Sequence, residues 1–361
     1  MNSQSHQEWK YTNSSVFSDI NFQNLSIEEK QLNDNLIEVT DNQIIFSSNS
    51  DNLSMNTSQD IISRIFNKEF KVGLSNYALS QNEYCTDENN SIFISVSKSS
   101  LPERVKININ NTNKSNISIK IYLYLSKGSK LEILDESIFK GNTSLQIYSL
   151  IEDGAQLEFY RFNKFSPLQT NSSFHFLRLK EGSIFKDYNF NNGSKQNRAE
   201  TIVNLDAKNS HFLGSGTIIS KSTHSDNVVE INHNNKSATS DCFFKTVSQG
   251  ESNVIFDGKI YVGENCSDTL SNQISKGLLM DEKARINLMP KLEINNDDVV
   301  CSHGAASGKP DEETIFYLTS RGVSEEEAKK IYIQGFLGEF VEKIENAQMK
   351  VKAKQFISLN S

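Results

Sequence analysis

Near the C-terminal end of the chain, the segment "VVCSHGAASG" (299–308) places Cys301 and His303 two positions apart. In extended backbone, residues i and i+2 project to the same side, so this thiol and imidazole could reach one ion or one reactant. Three readings are open: a metal site, a nucleophile with its base, or a buried cysteine and a capping histidine at a domain junction. Zinc takes four ligands, or three in a catalytic site, and the neighbourhood supplies only Asp297 and Asp298 as further candidates. On the residues alone, the structural reading stands ahead of the other two.

Other chemistry-bearing residues give less. Asp297 and Asp298 are adjacent, and neighbours in a strand face opposite ways, so they do not make an acid/base pair. Glu325, Glu326 and Glu327 suit a helix N-terminus. His224 and His233 lie in strand-rich sequence and are expected to face outward as surface residues. Cys242 and Cys266 fit small buried hydrophobes better than reactive thiols. "GSG" at 214–216 lacks the rest of a dinucleotide fingerprint and is expected to form a turn.

The composition narrows the class. With a net charge of -8 over 361 residues and no dense Lys/Arg stripe, a nucleic-acid partner is disfavoured. Cys85, Cys242, Cys266 and Cys301 form no CxxC pair, which suits a reducing compartment. The start "MNSQSHQEWKYTN" is no signal peptide and no stretch approaches 18 apolar residues. The expectation is a cytoplasmic protein with no membrane span.

The elements that must position Cys301 and His303 come next. "SQDIISRIFNKEF" (58–70) has helical spacing, so residues 1–90 are expected to form a small, partly helical N-terminal region. From 91, runs such as "SIFISVS", "ISIKIYLYL", "LEFYRF" and "NVIFDGKIYV" alternate and are β-branched or aromatic for roughly 200 residues. Within them a small or polar turn pair recurs before a strand. Its second residues, Ser129, Ala155, Ser183, Ser210 and Ser237, lie 26, 28, 27 and 27 positions apart.

A sandwich has no reason to keep so long a register, whereas a solenoid repeats one unit per turn. The fold expected over 91–305 is therefore a parallel β-helix with coils of about 27 residues, mainly β overall. Stacking supplies its core and both ends need caps. A C-terminal helical domain is expected over 306–361. "DEETIFYLTSRG" ends at Gly322 as a left-handed stop, and Ser324 with Glu327 forms a capping box. Ala328, Ile331, Tyr332, Gly335, Phe336, Phe340 and Ile344 make an apolar stripe, widened by Leu337 and Val341. The helices are expected to form a hairpin with one face docked and another available to a second protein.

The stretch 290–340, with "PKLEI", the acidic pair before "VVCSHGA", "FYLTSRG" and the "GF" of the last helix, closely resembles the C-terminal signature of the SufB/SufD family. "QEWKYTN" (7–13) resembles its N-terminal sequence. Asn265-Cys266 stands where relatives carry Ala-Gln, which leaves the role of that pair open. "CSHG" favours the SufD type over SufB, whose chains typically read "CEHEA". The resemblance implies a right-handed parallel β-helix in a non-catalytic scaffold subunit for iron-sulfur cluster assembly. It implies SufB and the SufC ATPase as partners. His303, with Cys301 beside it, would be a metal or cluster ligand at a subunit interface where a nascent iron-sulfur cluster forms transiently. Helices over 311–346 would dock SufC, with Phe316, Tyr317, Arg321, Tyr332 and Phe336 at that contact. No GxxxxGK[ST] occurs, so ATP hydrolysis falls to the partner. The alternatives are a SufB-like homodimer through the β-helix and a polysaccharide-acting β-helix enzyme. The latter is opposed by the absence of any carboxylate recurring at the 27-residue register.

Overall fold

A computed structural model describes residues 20, 22–57, 65–66 and 90–361. "QEWKYTN", Cys85 and most of the helix expected over 58–70 lie outside those residues; Ile65 and Phe66 are helical.

From residue 91 the chain winds between two parallel sheets. One runs from Glu103–Asn111 through Lys130–Asp135, Gln156–Phe165, Ile184–Asn191, His211–Lys221, Thr239–Gln249 and Thr269–Leu279 to Val299–Gly308. The other runs from Ser91–Val96 through Asn116–Leu125, Asn142–Ile151, Thr170–Leu179, Gln196–Leu205, His224–His233 and Asn253–Val262 to Arg285–Ile294. Each coil gives one strand to each sheet and pairs with the coil before and the coil after. This is the β-solenoid that the turn period predicts. The N-terminal part also contributes strands: Ser26–Glu29, Leu36–Val39 and Gln43–Ser47 extend the first sheet, and Leu53–Asn56 pairs antiparallel with Ser91–Val96.

The corner that sets the period combines two residues. Gly128, Gly154, Gly182, Asn209, Ser237 and Asp268 hold φ between 56° and 71°. The residues after them, Ser129, Ala155, Ser183, Ser210, Ala238 and Thr269, are all fully buried. The left-handed residue reverses the chain, and a small side chain then fits inside the corner. One expected equivalence is thus off by one: Ser237 is the left-handed residue and Ala238 the buried partner of Ser210. The strand register through Lys130, Gln156, Ile184, His211, Thr239, Leu270 and Val300 gives coils of 26, 28, 27, 28, 31 and 30 residues. The last coils therefore carry longer turns than the first. Gly214 and Gly216, expected in a turn, lie inside the strand His211–Lys221, where the rings of Phe212 and Phe244 occupy the space a side chain would take.

Alternate residues fill the lumen. Its core is mostly Ile, Leu, Val and Phe, from Ile37 to Val262, each fully buried large side chain contributing about 1.5–3 kcal/mol. A polar layer interrupts it. Arg161 donates through Nε to Asp187 at 3.1 Å and through Nη2 to the same carboxylate, and all of these groups are buried. One coil earlier Asp135 accepts from the Ser137 amide at 3.1 Å and from the Ser137 hydroxyl.

Three helices follow: α1 (Glu312–Ser320), α2 (Glu325–Glu342) and α3 (Ala347–Asn360). Asp311 caps α1, Gly322 stops it at φ 91°, and the Ser324 hydroxyl accepts from Glu327 N–H at 3.2 Å. The α1–α2 pair is the expected hairpin, but the docked stripe of α2 is Ala328, Ile333, Leu337, Phe340 and Val341, with Ile344 just beyond it. Ile331 is exposed, and Tyr332 and Phe336 are half-buried. Helix α3, absent from the sequence reading, buries Met349, Ala353, Phe356 and Ile357 at helical spacing. Together α2 and α3 cover Tyr160, Phe162, Tyr188, Phe190 and Phe243 on the outer face of the first sheet. Among the described residues no helix is long and apolar enough to cross a membrane.

Burial raises the Asp135 carboxyl from 3.8 to about 6, against the opposing pull of Ser137, Asn163 and Arg161. A carboxyl raised on folding binds its proton more tightly in the folded state. Its stabilising contribution is present below 3.8 and is lost as pH rises through about 6. Asp135→Asn removes that loss, so the variant should gain on the parent by on the order of 2–3 kcal/mol between about pH 4 and pH 8. Denaturant midpoints of both proteins across that range check it; a constant difference would contradict the assignment.

Candidate functional site

The strands Arg285–Ile294 and Val299–Gly308 end their sheets, each paired on one side only among the described strands. The last coil is therefore an open end. From its lumen side, Ile286, Leu288, Leu292, Val299 and Cys301 are half-buried against the core. Cys301 pairs in register with Ser271 and His303 with Gln273. Alternation puts both Cys301 and His303 on the lumen side, as the i, i+2 spacing predicts. On the other side, Ser302 Oγ donates to Asn272 Oδ1 at 2.8 Å and Val300 is 68% exposed.

The two residues differ in their surroundings. His303 is exposed at the rim. Cys301 is half-buried, and burial pushes its thiol up, offset by a backbone hydrogen bond at Ser271. Thiolate chemistry requires the opposite shift, so this chain alone leaves Cys301 a thiol. Beneath His303 in the same column lie Gln273 and then Cys242. Gln273 Nε2 donates to the Gly258 carbonyl at 3.2 Å. Cys242 is fully buried, and burial drives its thiol far up. No group of three or more His, Cys, Asp or Glu able to hold a metal occurs among the described residues. What stands at the open end is an imidazole and a thiol without further protein ligands.

The remaining sequence candidates resolve into structural roles. Asp297 and Asp298 are exposed in the turn before the last strand, where the Asp298 carbonyl accepts from Asp268 N–H at 2.9 Å. Cys266 is buried and its Sγ donates to the His233 carbonyl at 3.0 Å, while Asn265 is exposed. His233 does not face outward as expected. It points into the lumen, hydrogen-bonded through Nε2 to Ser240 Oγ at 2.9 Å, and burial lowers it to about 4. His224 is half-buried and also lowered by burial.

The five helix residues of the expected partner contact divide into two groups. Phe316 and Tyr317 on α1 are 73% and 59% exposed, and the Arg321 guanidinium lies 5.4 Å from the Tyr317 ring centroid. Helix α1 buries none of its own side chains. It borders a groove of about 570 Å³ lined by Leu279, Met280, Pro310, Ile315 and Phe316, with Asp281, Glu282, Lys309 and Lys329 around them. Tyr332 and Phe336 instead hold the helices in place. The Tyr332 hydroxyl accepts from Asp311 N–H at 3.1 Å. Buried Lys245 sits 4.6 Å from the Phe336 ring centroid, donates to the Phe336 carbonyl and pairs with Glu339 at 2.7 Å. Sequence reasoning did not find Lys245; a lysine on the outer face of a strand reads as solvated unless the helix above it is placed.

Comparison with known proteins gives the family of the chain. Residues 108–336 match the family model described as SUF system FeS cluster assembly, SufBD core domain. The chain is similar to the iron-sulfur cluster assembly protein SufD of Escherichia coli, 31% identical over 186 residues, or 51% of this chain and 44% of that protein. A SufBD family protein of Synechocystis is 36% identical over 104 residues, 29% of this chain and 23% of its own. The assembly protein SufB of Bacillus subtilis is 32% identical over 124 residues, 34% of this chain and 27% of its own. The matched regions thus span less than half the length of these relatives. The family model covers most of the solenoid, its open end, α1 and the first two-thirds of α2, and the chain belongs to the SufBD family of the SUF system for FeS cluster assembly.

Proposed function

We propose that this chain is a non-catalytic, SufD-type scaffold subunit for iron-sulfur cluster assembly, working with SufB and the SufC ATPase. In this reading the open end of the solenoid pairs with SufB. His303 supplies an imidazole, a borderline ligand suited to iron, and Cys301 a thiol whose deprotonation would accompany metal binding. The cluster is cargo, held at the seam and completed by ligands from the second chain. Helix α1 docks SufC, and ATP-driven movement of SufC reaches the seam through α2 and the Lys245 contact.

The observation that carries the reading is the position of His303. It is exposed on the last strand of its sheet, inside the region matched to the family, with too few neighbouring ligands among the described residues to hold a metal alone. A homodimer through the same end is the second reading, favoured by the 32% identity to a SufB.

Co-expression with SufB and SufC tests the site. The eluted complex should hold iron and labile sulfide, and His303→Ala should lower both at least about tenfold without disturbing the fold, because an exposed side chain contributes little to stability. Unchanged iron and sulfide would remove His303 from the site.

The docking surface has its own test. Phe316→Ala with Tyr317→Ala should abolish SufC retention while leaving the unfolding free energy within about 0.5 kcal/mol of the parent, since neither ring is buried. Phe336→Ala should mainly destabilise the protein. SufC retained by the double variant would contradict docking through α1.

A further inference from the structure

Well inside the solenoid, a cavity opens between the two sheets, away from the open end and from the helices. Arg161, Asn163, His175, Asn189, Asn191 and Asn197 line it. The space open to water centres is about 20 Å³, and one water requires roughly 10–15 Å³ on that measure. Around it the core is apolar, with Ile133, Leu157, Ile231 and Phe256 among its buried residues.

Three side chains that line this cavity carry atoms with no hydrogen-bond partner in the protein: Asn163 Oδ1, His175 Nδ1 and Asn191 Oδ1. All three residues are at least nine-tenths buried. A buried polar atom left unpaired costs about 1–3 kcal/mol, so three around one small cavity call for a ligand that satisfies them together. The chemistry of that ligand follows from what they offer. The unpartnered atom of Asn163 is its Oδ1, an amide oxygen and so an acceptor. Asn191 Oδ1 is likewise an acceptor. His175 is neutral, since burial first and the Arg161 charge second hold its pKa well below the usual range. It therefore has one N–H, and its Nε2 is bonded to Ser149 Oγ at 2.8 Å.

We infer that this cavity is an internal water site. One water donates its two protons to Asn163 Oδ1 and Asn191 Oδ1 and accepts from His175 Nδ1–H, which fixes the imidazole as the Nδ1–H tautomer with Nε2 accepting from the Ser149 hydroxyl. Water has the size, the two donors and the lone pair that the lining requires.

A crystal structure of the full chain at atomic resolution should show an ordered water within hydrogen-bond distance of all three atoms, and nitrogen-15 NMR should find His175 protonated at Nδ1. Ala199 also lines the cavity, so Ala199→Val should displace the water and lower by one the number of slowly exchanging waters seen by oxygen-17 relaxation dispersion. Side chains paired with one another around a dry cavity, an Nε2–H tautomer, or an unchanged slow-water count in a folded Ala199→Val protein would each overturn the assignment. The crystal and tautomer measurements need no variant, so a variant that fails to fold leaves the test intact.

Discussion

Everything in this protein depends on backbone pairing between successive coils. Each strand spends its hydrogen-bonding edges on the coil before and the coil after, and the left-handed corner residue followed by a buried small one returns the chain to the same register each time. Such an array is stable in its interior and incomplete at its ends. The strand Val299–Gly308 has a neighbour on one side and a row of peptide groups on the other. Natural sheets cover or pair such edges. The same residues that close the solenoid are therefore those best placed to receive another chain.

The helices attach to this frame through a different surface. Aromatic rings stacked on the outside of the first sheet, Tyr160 on Tyr188 at 4.9 Å and Phe162 on Phe190 at 4.8 Å, give α2 and α3 a flat apolar seat. Lys245 is held there between the Phe336 ring and the Glu339 carboxylate. Helix α1 has no such seat and extends beyond the frame with Phe316 and Tyr317 in solvent. The molecule thus offers two separate surfaces, the free strand edge and α1, joined by the solenoid and the helices packed on it.

Much of this was legible in the sequence because the corner leaves a chemical trace at a fixed spacing. Gly-Ser, Gly-Ala and Asn-Ser pairs mark it where the coils are short, and the trace blurs at Ser237-Ala238 and Asp268-Thr269, where the left-handed residue is Ser or Asp and the coil grows to 31 residues. Caps at Ser324 and Gly322 were equally plain. Helix α3 was not, because lysines interleave its four buried residues and dilute the apolar signal, although the spacing of Met349, Ala353, Phe356 and Ile357 was there to be found. Strand alternation identified the shared side of Cys301 and His303, but it could not say that His175, Arg161 and His233 point inward, since a polar residue in a strand reads as solvent-facing. Beyond the shared side of Cys301 and His303 neither sequence nor structure adds a third metal-ligating side chain among the described residues.

The central claim is that the unpaired edge carrying His303 is where a second Suf chain pairs. Hydrogen–deuterium exchange over residues 299–308, followed with and without SufB, tests it most directly. Backbone amides on the free side of that strand exchange quickly when they face solvent and slowly once another strand covers them. The account predicts that SufB slows exchange in this segment while strands in the middle of the solenoid are unaffected. Formation of the complex with exchange unchanged over 299–308 would contradict it.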